Sequence, residues 1–355
     1  MGLIITDSQN YTDIADAIRS KNGTSTHYYP EQMASAIMSI SGGGGITPTG
    51  TYNIASNGVY DVYSYASASV SVPLPTGTIT LSSNDTFNVY DYASAIVSVP
   101  EDPYVLKYQG ANLLTSFTDT ASTSIVYGAF AYTSSLATVS FPEAVTIGPY
   151  AFAYCYKLRT ISFPKVTTID TYAFQYCSSM NYAINSTNFP SLTGKIGNGA
   201  FRGCQYLTGI DLPNVTSIGT QCFSACSRIT TVNMPKLAST STGAFSYLTT
   251  CSSYSLPLLT YIASNCFTSN WKLTTLTLPK AATISAYAFR YCSSLMSLYL
   301  TGSTVPTLNA SAFLNMPFSV SVNNVYGSIY VPSSLYNSYI AATNWVTYKN
   351  RIVSM

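Results

Sequence analysis

The chain has 355 residues, 47% hydrophobic and 14% aromatic but only 8% charged, with a formal net charge of +2. Many aromatics and few charges exclude a disordered chain. No apolar run reaches the ~20 residues of a membrane span, which excludes helical membrane insertion. The charge is unevenly divided. Residues 1–124 hold three basic side chains (Arg19, Lys21, Lys107) and ten acids, a balance of −7. Residues 125–355 hold twelve basic side chains and three acids (Glu143, Asp170, Asp211), a balance of +9.

The opening MGLIITDSQN lacks the basic start and long apolar run of a signal peptide. The eight Cys are therefore expected as reduced thiols rather than as a disulfide framework. Residues 1–41 read as a helical segment. Thr12 can cap DIADAIRSK, and Pro30 can open EQMASAIMSI, where Met33, Ile37 and Ile40 share one face. Residues 42–49 are a Gly-rich linker. Residues 50–102 contain a tandem repeat: 50–73 and 77–100 lie at an offset of 27 and match at 14 of 24 positions. Their alternating VSVP and YNIA stretches, with SNG and SND turns, predict two small β repeats. Residues 103–124 are a connector.

Residues 125–332 repeat one sentence about nine times. Its anchors are Phe130, Phe152, Phe174, Phe201, Phe223, Phe245, Phe267, Phe289 and Phe313, spaced 22, 22, 27, 22, 22, 22, 22 and 24 apart. A fixed period in the twenties predicts a solenoid. Each unit reads as a helical turn at AF, one short strand, and a Pro that stops it. Apolar residues six, nine and eleven after the Phe, such as Leu158, Ile161 and Phe163, are expected to point inward, so that stacked neighbours share a core. Residues 333–355 are expected to form a capping helix carrying Tyr336, Tyr339, Ile340 and Ile352 on its apolar face.

The recurring pattern I…AF…C..L..I.FP…V..I resembles the BspA-like leucine-rich repeats over roughly residues 125–332. The resemblance implies a β-rich leucine-rich-repeat solenoid of about nine coils. DIADAIRSKNGTS…YYPEQMASAI and NGVYDVYSYASASVSV resemble the front of tail-associated proteins of phages of Gram-positive bacteria. That likeness implies a host-recognition (receptor-binding) subunit of a virion tail, assembled in the host cytoplasm and acting outside it. Residues 1–102 would then contact other tail proteins, and a homotrimer is expected by analogy with tail fibres. A bacterial surface adhesin binding host proteins is the alternative. The absence of a signal peptide or wall anchor in the sequence weighs against it.

Catalytic chemistry finds little support. Cys155, Cys177, Cys204, Cys226 and Cys292 each lie three residues after a repeat Phe, as one column expected to be buried, and the only close pair that zinc could use, Cys222 and Cys226, splits between two structural columns. His27 is the only His, which argues against a Ser-His-Asp or Cys-His machine. A depolymerase needs paired carboxylates, yet nothing after Asp211 is acidic. We expect no enzyme, no cofactor and no metal. The basic balance permits nucleic-acid binding, but no recognition motif accompanies it.

The columns that vary point to binding. Four and five residues after each Phe, just before the strand, stand Tyr156-Lys157, Gln205-Tyr206, Ser227-Arg228 and Trp271-Lys272, where other units carry Ser or Thr pairs. Aromatic faces suit sugar rings, and Lys and Arg suit phosphates. Tyr156, Lys157, Tyr206, Arg228, Trp271 and Lys272 are the candidate ligand-binding residues, for a bacterial cell-surface polysaccharide or teichoic acid. The Tyr column two residues after the Phe is expected to be structural. Thr and Ser at eight and ten after the Phe are expected on an exposed strand face.

Overall fold

The computed structural model describes residues 78–81 and 94–97 as backbone and residues 110–321 and 325–355 in full. The expected N-terminal helices, the Gly-rich linker, the first β copy and His27 lie outside the described residues.

A typical coil carries a three-residue strand, a two-residue strand and a turn at the anchor Phe. In the coil anchored by Phe152 these are Thr160–Ser162, Thr168–Ile169 and the turn around Phe152 itself. After Phe223 the second strand shrinks to a single bridge at Ser239. Every pairing between coils is parallel, as stacking in one direction requires. Thr138–Ser140 pairs in register with Thr160–Ser162 (Thr138 opposite Thr160), and Gly209–Asp211 pairs with Thr231–Asn233. The sheet also runs forward past the first anchor Phe. Thr78–Leu81, Ser94–Val97 and Ser116–Asp119 precede Thr138–Ser140 in the same parallel sheet, and Leu114 and Phe117 are already in the core. The stack makes about 11 turns.

The strand-stopping Pro follows from this packing. It lacks the N–H that a further ladder bond would need. The residue before it (Phe141, Phe163, Leu212, Met234, Leu256 or Leu278) is buried. Leu158 and Phe163 are fully buried as expected, and Ile161 is half-buried. The anchor Phe residues form a continuous ring stack. Phe130–Phe152, Phe152–Phe174, Phe174–Phe201 and Phe201–Phe223 have centroids 5.2, 5.3, 5.2 and 5.4 Å apart with planes within 11°. The turns are tied across coils by short backbone bonds, such as Phe152 N–H to the Ala173 carbonyl at 2.7 Å.

The 27-residue unit between Phe174 and Phe201 absorbs its extra length next to its strand, Ala183–Asn185. The Asn185 side-chain oxygen accepts from the Thr187 N–H at 2.8 Å, and the Asn188 side chain accepts from the Asn185 N–H at 3.2 Å. That local closure lets Phe189 rejoin the ring stack, 5.7 Å from Phe163. The sheet on this face breaks between Thr160–Ser162 and Ala183–Asn185.

The Cys column does more than fill space. The thiols of Cys155, Cys177, Cys204, Cys226 and Cys292 donate to the carbonyls of Phe130, Phe152, Phe174, Phe201 and Phe267, one coil earlier, at 3.0–3.1 Å. Asn270 takes the same column after Phe267. Its amide donates to the carbonyls of Phe245 (2.9 Å) and Phe267 (2.7 Å), and its oxygen accepts from the Tyr254 hydroxyl. Asn270→Ala removes the side-chain donor to the Phe245 carbonyl and the amide acceptor of the Tyr254 hydroxyl, leaving that hydroxyl the Cys251 thiol, and should cost about 2–4 kcal/mol. The double change Asn270→Cys with Tyr254→Phe should recover most of this in urea unfolding, because the thiol restores the ladder bond. Equal stability of Asn270→Ala and the parent would contradict this bonding.

The expected single capping helix is replaced by several short elements. Ser333–Leu335 and Trp345–Arg351 are 3-10 turns, Tyr336–Ala341 is a short α-helix, and Ile352–Ser354 is a strand that pairs in parallel with Ser328–Val331. Extended backbone at Ala342 and left-handed backbone at Asn344 (φ 65°) end the helix. The break lets Trp345 and Tyr348 close the ring stack edge-on against Phe313, at 5.9 and 5.2 Å, while the Trp345 indole N–H donates to the Pro306 carbonyl at 2.7 Å. The final strand pairs with the edge that the last coil leaves open.

All eight Cys are free and buried. Denatured protein without reductant should therefore titrate eight thiols with a colorimetric disulfide reagent, and native protein close to none. Fewer than eight in the denatured state would mean that neighbouring column Cys have bridged.

Candidate functional site

The pre-strand loops turn outward because Cys155 and its equivalents anchor one side and the inward Leu or Ile the other. Tyr156, Tyr206 and Trp271 are 46%, 42% and 51% exposed, and Lys157, Arg228 and Lys272 are exposed beside them. The structure brings one pair together across adjacent coils: the Arg228 guanidinium lies 4.1 Å from the Tyr206 ring centroid, a cation–π contact. Tyr156 meets Tyr154 edge-on at 6.1 Å. Trp271 and Lys272 stand two coils beyond Arg228. Coil spacing of about 5 Å puts Trp271 roughly 25 Å from Tyr156.

The Thr and Ser strand face is exposed as expected at Thr138, Thr160, Ser162, Thr231, Thr275 and Thr277. Its C-terminal end carries a stacked pair, Tyr299–Tyr330, at 4.5 Å. The post-Pro column is partly neutralised: Lys165 pairs with Glu143 at 2.5 Å, and Lys236 donates to Asn214 at 2.9 Å.

The Tyr column is where the expectation of a structural role fails. Two positions, two before and two after the anchor Phe, have left-handed backbone in the coils from Phe130 to Phe289, and the later one also at Phe313. Tyr132, Tyr154 and Tyr176 have φ of 63°, 63° and 57°, and Tyr150 and Tyr172 have φ of 56° and 55°. That backbone turns the side chain out of the core. Tyr132 is 52% exposed, and the other four are half-buried. In the same columns stand Gly110, Gly128, Gly199, Gly203 and Gly243, all at positive φ. Left-handed backbone costs a residue with a Cβ about 1–2 kcal/mol and glycine almost nothing. Stacked aromatic pairs return about 0.5–1.5 kcal/mol each beyond their area burial. Stacking therefore offsets the backbone cost, and the fold itself has no need of tyrosine there. The signal was legible: a column holding Gly in some units and Asn or Tyr in others marks left-handed backbone.

These tyrosines form two ladders. Tyr132–Tyr154 and Tyr154–Tyr176 stack at 4.7 and 5.2 Å, and Tyr150–Tyr172 lie 5.0 Å apart with Tyr127 tilted against Tyr150 at 5.5 Å. Gly199 and Gly203 are the floor on which Tyr172 and Tyr176 rest: a Cβ on either would fall 2.3 Å from a ring carbon. At the other end, a Cβ at Gly110 or Gly128 would meet nothing within 4 Å among the described residues. Partial burial raises the phenol pKa of Tyr150, with Tyr172, Tyr127 and Tyr132 adding to it. Burial likewise raises that of Tyr154, with Tyr132, Tyr176 and Tyr156 adding to it against a lowering by Arg202. The two ladders are thus electrostatic neighbours, and the raised pKa keeps the Tyr150 and Tyr154 hydroxyls protonated at neutral pH.

Among the described residues no group of three or more His, Cys, Asp or Glu is placed to hold a metal, and no helix is long and apolar enough to cross a membrane. The buried thiols are poor nucleophiles. Burial pushes Cys226, Cys266 and Cys292 up to about 12 and Cys251 to about 11.

No curated protein matches the chain. Among solved structures it is similar to a leucine-rich repeat protein of T. pallidum, with 24% identity over 52% of this chain and 84% of that one and a TM-score of 0.42. It is similar to a leucine-rich cell surface protein of Faecalibacterium prausnitzii, with 20% identity over 73% and 89% and a TM-score of 0.34. A third is the pneumococcal vaccine antigen PcpA, with 12% identity over 74% and 77% and a TM-score of 0.37. The BspA type leucine-rich repeat region matches in six copies, over residues 108–181, 180–296 and 241–338. With more than half its length matched and the coils built as described, the chain belongs to the BspA-type leucine-rich repeat family.

Proposed function

We propose that the protein is a non-enzymatic recognition subunit of a phage tail, whose solenoid binds a polysaccharide or teichoic acid on the bacterial surface. One observation carries the reading. Aromatic and cationic side chains that the core does not use project from a rigid stack at Tyr156, Lys157, Tyr206, Arg228, Trp271 and Lys272. Rings and cations at intervals across several coils suit an extended polymer better than one small sugar, and many weak contacts multiply on a multivalent surface. The resemblance of residues 1–100 to tail-associated proteins supplies the tail assignment, with residues 1–102 contacting other tail proteins in a homotrimer.

The test is sedimentation of the full chain with purified Gram-positive cell walls. Trp271→Ala should weaken binding several-fold and leave the urea midpoint unchanged, because the ring is half exposed. The Lys and Arg contributions should fade as salt rises, since exposed charges are screened within about 8–10 Å. If Tyr156, Tyr206 and Trp271 can all become Ala with wall binding intact, this surface is not the contact.

A bacterial surface adhesin that binds host proteins is the second reading. It rests on the family match, which is confined to the repeat region. Mass spectrometry of purified virions separates the two: the chain should be present among tail proteins, and its absence would favour the adhesin.

A further inference from the structure

We propose that the two tyrosine ladders flanking the AF turns form a shelf for a linear, uncharged glycan lying along the stack; this deepens the recognition role above and rests on it. The shelf comprises Tyr132, Tyr154 and Tyr176 in one row, Tyr150 and Tyr172 in the other, and Tyr127 at its edge.

Three observations point to this occupant. The first is chemical. The rings stack on one another, so the ladders present ring edges and a row of phenolic hydroxyls rather than a bare apolar face. An apolar helix or acyl chain would strip water from those hydroxyls without replacing its hydrogen bonds. A polyhydroxyl polymer offers both C–H edges and hydrogen-bond partners. The second is metric. Ring spacings of 4.7–5.2 Å follow the coil rise, so a polymer with a commensurate sugar repeat meets the same contacts at each coil. Tyrosine supplies that contact at low entropy cost, having only two side-chain torsions to fix.

The third is the placing of glycines. Gly199 and Gly203 end the ladders by lying beneath Tyr172 and Tyr176, whereas among the described residues nothing lies within 4 Å of a Cβ placed on Gly110 or Gly128, one coil before Tyr132 and Tyr150. Among the described residues no ring stacks on the leading side of Tyr132, which leaves room there for one sugar, while Tyr127 already lies tilted against Tyr150. Left-handed tyrosine where the same chain elsewhere uses glycine is the kind of backbone outlier that gathers at ligand sites.

The test uses the full chain in native affinity electrophoresis, through gels containing hydroxyethyl cellulose, dextran or mannan, with polyglycerol phosphate as the anionic comparison. The variant Tyr132→Gly/Tyr154→Gly/Tyr176→Gly suits the left-handed backbone, as Gly110 and Gly203 show, so it should fold; a urea midpoint checks this. We expect retardation by at least one neutral polysaccharide and a tenfold or greater loss of affinity in the glycine variant. The corresponding Phe variant, which keeps the rings and loses the hydroxyls, should fall between. Retardation of the folded glycine variant equal to the parent overturns the proposal, as does retardation by polyglycerol phosphate alone or by none of the neutral polymers. Cell-wall binding by the parent separates the two levels. Walls bound equally by parent and glycine variant sink the shelf but leave the recognition role standing. Walls bound by neither sink that role. If the glycine change instead dissolves an oligomer in sedimentation, the ladders are a contact between copies and the glycan proposal is overturned.

Discussion

Raising the pH from 8 to 10 should destabilise this protein by far more than is ordinary for a domain of its size. All eight thiols are buried, and burial raises every one of their pKa values, to about 12 for Cys226, Cys266 and Cys292 and about 11 for Cys251. In the unfolded chain the same thiols ionise near the usual value of 9.0. The folded state therefore holds protons that the unfolded state releases. The stabilisation is complete below the unfolded pKa and is lost as pH climbs toward the folded values. At pH 10 the difference is about 1–2 kcal/mol for each thiol, so on the order of 10 kcal/mol for eight. That is comparable with the whole stability of a typical domain. Urea midpoints from pH 7.5 to 10.5 should be flat at first and then fall steeply, with thiolate absorbance appearing together with unfolding. A midpoint unchanged through pH 10, or thiolate formed in the folded state, would contradict the burial of the column.

Phe174→Ala carries the next largest expected effect. The ring is fully buried and touches Phe152, Phe163, Phe189 and Phe201 at centroid distances of 5.3, 6.0, 6.1 and 5.2 Å. Backbone bonds hold the flanking coils in place: the Phe174 N–H donates to the Ala200 carbonyl at 2.7 Å. The cavity cannot collapse without breaking that ladder. The loss should lie in the range of about 3–5 kcal/mol. In a stack where each coil touches only its neighbours, it should also uncouple the two halves. A broadened or two-step urea transition is expected, and an unchanged midpoint would refute the register of the repeats.

Much of this arrangement is legible in the residues. Phe anchors at a fixed period, inward Leu and Ile, and a Pro after each strand predict the coil, because each is a local rule repeated until no other reading fits. Features set by backbone geometry were harder to read. Tyr154 and Tyr176 recur with the core and so look like core, yet a left-handed backbone swings them outward. The Cys column reads as small and apolar, but its thiols cap carbonyls one coil back, a role visible only once Asn270 is seen doing the same work. The tail residues from Tyr336 to Ile352 carry a helical pattern. The unpaired edge at Ser328–Val331 overrides it by taking Ile352–Ser354 as a strand. For the surface, exposure of Trp271, Tyr206 and Arg228 followed from where the inward pattern stops, whereas the Arg228–Tyr206 contact needed the stacking of coils.

The most direct test of a recognition surface on this solenoid is hydroxyl-radical footprinting of the full chain with and without Gram-positive wall polysaccharide, read by mass spectrometry at each aromatic residue. Protection is expected at Trp271 and Tyr206 on the loops and at Tyr132 on the ladder, with the strand-face pair Tyr299 and Tyr330 unchanged. Protection confined to Tyr299 and Tyr330, or no protection at any of these rings under conditions where the chain sediments with walls, would place the contact elsewhere and contradict this reading.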